Sequence, residues 1–153
     1  MGVRKRIRKV YDRKEPTQDF MKYWRVVKMW VKSKYDIGTG DLELLFYLYS
    51  EHIFTRKQFK EFAFTLPWDK QRFARLKKNG WINTWRKPLN RQKGLYEVSF
   101  KGKRLVSSVY RKLLGKERIS QFKAHNPIYL QSATYSQNRM KPVIEKFNEE
   151  QKE

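Results

Sequence analysis

The chain has 153 residues, with 36 Lys or Arg against 15 Asp or Glu, a formal net charge of +21, 39% hydrophobic and 16% aromatic residues, and no cysteine. These values exclude a disulfide scaffold, a thiolate enzyme and a Cys-ligated zinc site, and the missing cysteine fits a reducing compartment. The hydrophobic fraction suffices for a core. A soluble domain needs a net charge of only ~2–8, so +21 points to a polyanionic partner.

Residues 1–14 carry seven Lys or Arg and one acid and read as a flexible basic arm. They lack the apolar stretch of a secretory signal, and Arg6 stands where a myristoylation signal needs Ser or Thr. A single domain is expected over 15–124, followed by an extension, 125–153, whose charges cancel. The remaining +15 therefore lies in 15–124.

Phe20, Tyr23, Trp24, Val27, Trp30 and Val31 recur at helical spacing and predict a first helix from Asp19 to about Lys34. A turn at Ile37–Gly40 follows, with Asp41 as the expected N-cap of a second helix carrying Leu42, Leu45, Phe46, Tyr49 and Ile53. Thr55-Arg56-Lys57-Gln58 fits a capping box opening a short third helix. A fourth helix is predicted over 67–79, since proline suits a first turn and Gly80 follows its end. Phe73 and Leu76 would face its core, with Gln71, Arg72, Arg75 and Lys78 outside.

Trp81–Trp85 and Leu95–Val98 are strand-like and flank the turn-rich loop 86–94. Nine Lys or Arg and one acid, Asp69, occupy 67–94. Ser99 opens a fifth helix reaching Gly115. A final short helix spans Met140–Phe147, whose one apolar face would dock on its own domain, on a second copy or on another protein. The whole is mainly α with a small β-wing of two or three strands: a winged helix-turn-helix.

That order supplies what duplex recognition needs. Arg pairs bidentately with guanine and Gln with adenine, so Gln71, Arg72 and Arg75 are the candidate base readers. Backbone amides near Thr65 to Trp68 would meet a phosphate at the helix start. Arg91 would enter a minor groove from the hairpin tip. Lys70, Lys78, Arg86, Lys87 and Lys93 would hold phosphates, with further contacts from Arg4, Lys5 and Arg6.

Leu76-Lys77-Lys78-Asn79-Gly80-Trp81-Ile82, with Tyr96-Glu97-Val98-Ser99-Phe100-Lys101-Gly102-Lys103, resembles the steps into and out of the wing in MarR-type winged-helix transcription regulators. The resemblance runs from about Asp19 to Leu114. It implies that the third and fourth helices form the helix-turn-helix, that Arg91 matches the family's wing-tip arginine, and that N- and C-terminal helices make a homodimer. Asn90 replaces an aspartate frequent in the family, and Trp68 replaces a small polar residue.

Two other readings use the same residues: an architectural or virion-associated protein that coats DNA without reading it, and a docking module for a polymerase or larger assembly. A single-strand stacking platform would draw on Trp81, Trp85 and Tyr96. Metal and catalytic motifs are missing from the sequence, and His52 and His125 lie in unrelated segments. No enzyme, cofactor, metal or membrane span is expected, and the location expected is cytoplasmic and nucleic-acid associated, in a host cell or a virion.

Overall fold

Apolar periodicity and capping chemistry set most of the element boundaries in the structure, a computed structural model that describes residues 20–151. Helix α1 is Phe20–Tyr35, and it buries Val26, Val27, Trp30 and Val31. Helix α2, Thr39–Glu51, buries Leu42, Leu44, Leu45 and Leu48. Its N-cap is Gly38, one turn earlier than expected; Asp41 instead lies in the first turn, where the helix dipole favours an acid. His52 ends α2 at φ 64°.

A two-residue strand follows, β1, Ile53–Phe54, where the sequence suggests more helix. Helix α3, Arg56–Phe62, opens on the expected capping box, with Thr55 and Gln58 exchanging side chain-to-backbone hydrogen bonds. Helix α4 is only Arg72–Lys78, five residues shorter at its start than the 67–79 predicted. Strands β2, Ile82–Arg86, and β3, Leu95–Val98, form the wing, and α5 runs from Phe100 to Leu113. Helix α6, Tyr135–Glu150, is twice the predicted length and starts at a second capping box, Thr134 with Gln137.

The sheet is antiparallel in the order β1-β3-β2, so the first strand adds a third member to the wing by pairing Phe54 with Tyr96. Phe54, Phe59, Phe73 and Tyr96 pack ring against ring at 4.9–6.4 Å between centroids, tying α3, α4 and the sheet together. Such aromatic pairs add about 0.5–1.5 kcal/mol each beyond burial.

Two glycines fix how the wing meets the helices. Gly80, at φ 80°, ends α4 in the left-handed region that side chains avoid. Gly102 lets α5 approach the sheet: a Cβ there would lie 2.5 Å from the Val98 side chain and 3.1 Å from the Trp81 carbonyl. Ser99 joins the two ends, donating its hydroxyl to the Gly80 carbonyl and accepting from the Gly102 amide.

The apolar face of α6 is occupied by its own domain. Ile144 and Phe147 are buried, and the Phe147 ring meets Tyr23 of α1 edge-on at 5.2 Å. Tyr23 Oη and Lys22 Nζ donate to Glu150, and Gln137 donates to Ser33. Of the three alternatives for the Met140–Phe147 segment, docking on its own domain is the one seen, and its apolar face leaves outside chiefly Val143, 45% exposed. None of the described helices is long and apolar enough to cross a membrane.

Candidate nucleic-acid interface

The hairpin 86–94 projects beyond the core with four cations and no acid. Its tip is a two-residue turn on Asn90 and Arg91, closed by paired backbone hydrogen bonds between Leu89 and Gln92. Asn90 takes φ 55°, a conformation asparagine tolerates better than most residues, and so supports the turn. The register shifts between Thr84 and Arg86, leaving Trp85 as an extra residue that bends the strand. Arg86 Nη2 donates across the base of the hairpin to the Lys93 carbonyl at 3.0 Å, which stiffens it. Arg86, Lys87, Arg91 and Lys93 are all exposed.

The α4 region is arranged differently from the expectation. Asp69 accepts from the Gln71 amide, making a local turn that holds Asp69, Lys70 and Gln71 outside the helix. The amides of 65–68 are consequently not the start of α4, so the helix-start geometry expected there for a phosphate does not form.

Arg72 is 7% exposed, with Nε 3.6 Å from the Asp41 carboxylate and Nη2 donating to the Pro67 carbonyl. Arg75 donates through Nε and Nη2 to Asp41 and through Nη1 to Asp69 at 2.7 Å. The hydrogen bond from Arg75 holds the Asp69 carboxyl below its ordinary range, and the hydrogen bonds to Asp69 and then Asp41 raise the Arg75 guanidinium.

Of the three expected base readers, Arg72 is therefore directed into the fold, while Arg75, its side chain still 39% exposed, is held at the surface by two carboxylates; together they fasten α4 to the first turn of α2. Charge pairing explains it: a guanidinium leaves water only when carboxylates and carbonyls replace its hydration. Lys70, Gln71 and Lys78 remain exposed on this side, with Lys77 beside them. Arg4, Lys5 and Arg6 lie outside the described residues.

Trp81 and Tyr96, expected members of a stacking platform, are buried at 2% and 9% exposure, and only Trp85 of that set reaches solvent. Phe64 and Trp68, which the sequence does not single out as a pair, are 84% and 87% exposed. Trp68 does not pack on Trp81, whose ring is met by Tyr35 and, at 4.1 Å, by Lys101.

A second cationic feature faces inward. Lys112 of α5 is 2% exposed; its ammonium sits 3.9 Å from the Trp30 ring centroid and donates to Ser108 and Glu117. Burial lowers the Lys112 pKa against the pull of Glu117. Burial raises the Glu117 carboxyl, but hydrogen bonds from Lys112 and Arg111 outweigh it and leave the group below its ordinary range. The pair ties α5 to the turn that follows it, and the Lys112 ammonium on the Trp30 ring braces α5 against α1. Among the described residues, His, Cys, Asp and Glu nowhere gather as a metal-binding set.

Compared with known proteins, the chain matches no family model and no curated protein. Among solved structures it is similar to a mutant MarR from E. coli complexed with operator DNA. The likeness covers 82% of this chain and 84% of that one, at 16% identity and a TM-score of 0.45. The strand order and the α3–α4 pair are themselves those of a winged helix-turn-helix.

Proposed function

We propose that this chain binds duplex DNA, with the 86–94 hairpin in a minor groove and the segment from Lys70 to Ala74 at the adjoining major groove. The observation that carries the proposal is the hairpin: a narrow, stiffened projection bearing Arg86, Lys87, Arg91 and Lys93 in solvent and no acid. Minor grooves draw in such side chains through their negative potential. Lys70 and Lys78 extend the phosphate track, and Gln71 is the exposed side chain best suited to read an adenine. The inferred role is that of a transcription regulator.

A second reading has its own support. With Arg72 buried and Arg75 held by Asp41 and Asp69, the base-reading set shrinks to Gln71, which favours a protein that coats duplexes with little regard to sequence. A dimer built as in the resembled family would need α1 and α6 faces other than the Tyr23–Phe147 contact, or an exchange of α6 between copies.

Selection from a random duplex library at ~150 mM salt decides between the two, because that salt suppresses non-specific phosphate binding. An enriched palindrome establishes a dimeric reader, and retention without enrichment establishes the coating protein. If ~6–10 phosphates are contacted, affinity falls ~10³–10⁵-fold between 50 and 200 mM salt. A flat salt response removes the DNA-binding proposal altogether.

A further inference from the structure

An apolar cleft of about 270 Å³ opens between α3 and the 66–70 turn, beside the region assigned above to the major groove. Phe64 and Trp68 stand at its edge, 84% and 87% exposed, and among the described residues no ring contact covers them. Arg56, Lys60 and Lys70 surround it. The one acid on the lining, Asp69, is already neutralised by Arg75 at 2.7 Å. Arg72 lines the cleft too, and among the described residues its buried Nη1 meets no acceptor.

We propose that this cleft takes one unpaired nucleobase of a DNA strand, stacked on Trp68 and Phe64, with the adjoining phosphates on Arg56, Lys60 and Lys70. The inference rests on the DNA-binding reading and deepens it: the preferred substrate is a duplex interrupted by an unstacked base, not a perfect one.

Three features favour a base over an apolar protein segment. A base presents a π-face and carries its own anionic linkage, which matches aromatic walls within a cationic rim. Leaving two large rings exposed beside a basic surface serves stacking on demand, since every base has a face to offer. Intact duplexes shield those faces, so the cleft would distinguish paired from unpaired DNA without reading sequence, consistent with a short reading set on α4.

The test uses the full chain and two fluorescently labelled duplexes of about 24 base pairs at ~150 mM salt, identical except that one carries a single bulged thymine. The bulged duplex is expected to bind about tenfold tighter, the scale of stacking one base on an aromatic side chain. Trp68→Ala should abolish that preference while leaving perfect-duplex affinity within about twofold, and Trp68→Phe should retain much of it. Trp68 is exposed, so neither change should disturb folding, and unchanged thermal unfolding would verify this.

Equal binding of the two duplexes, with Trp68→Ala inert on both, overturns the proposal, while the duplex reading stands. An equal loss on both duplexes also overturns it, because Trp68 then touches intact DNA. Binding to neither duplex removes the proposal together with the DNA reading.

Discussion

The wing and the α4 segment are about equally rich in cations, yet they use them oppositely. On the wing, Lys87, Arg91 and Lys93 stand in solvent with no carboxylate on the hairpin. On α4, Arg72 and Arg75 turn toward Asp41 and Asp69 and are spent on holding the helix in place. The difference lies in the neighbours. An arginine within reach of a half-buried carboxylate gains a bidentate partner, whereas one on an isolated hairpin has only water until a polyanion arrives. Counting Lys and Arg therefore overstates the charge offered to DNA by α4 and states it fairly for the wing.

The largest effect should come from removing the carboxylate that both α4 arginines share. Asp41→Ala leaves Arg72 buried and unpaired, and removing one partner of such a pair costs about 3 kcal/mol or more. Urea unfolding should show the midpoint falling with little change in slope. An Asp41→Ala protein as stable as the parent, with tighter DNA binding, would mean that the arginines are held back from DNA and not used as braces.

Next in size is the wing. Replacing Lys87, Arg91 and Lys93 together by Ala should weaken binding to all duplexes alike. The slope of log K against log salt should fall by roughly one for each phosphate left without its cation. Thermal stability should stay within ~0.5 kcal/mol, as for ordinary surface substitutions. A large fall in stability would show that the hairpin cations support the fold as those of α4 do. A smaller and more selective effect is expected from Gln71→Ala, which should cost ~1–3 kcal/mol at one base pair in a sequence reader and almost nothing in a coating protein.

Much of this contrast is legible in the sequence, but not its decisive part. The Thr55 capping box, Gly80 after α4, the two long strands and Ser99 before α5 each carry a local chemical reason and appear where that reason puts them. Strand β1 has none: Ile53 and Phe54 are extended because they pair with Glu97 and Tyr96, far along the chain. The shortened start of α4 follows from the Asp69–Gln71 turn, in which an aspartate competes with the helix for its own backbone. Charge alone assigns Arg72 outward. It lies four residues before Leu76, however, and so shares that residue's inward face, a signal the spacing does contain. Thr134 and Gln137 likewise spell a capping box for α6, masked by the polar residues that follow.

The mildest test concerns a single proton. Arg75 holds Asp69 ionised below the usual aspartate range. Its folded pKa is depressed, so the stability it contributes is fully present above the unfolded value and is lost as pH falls through the folded one. Between about pH 5 and 8 that contribution should be flat. The wing has no carboxylate and no histidine to titrate, so DNA binding through it should be flat there too. A carboxyl NMR titration should place Asp69 below the ordinary value in the parent and return it upward in Arg75→Ala. An Asp69 that titrates normally in the parent would mean that Arg75 is not committed to it. The guanidinium would then be available to DNA, and α4 would regain the reading role that its arginines suggest from sequence.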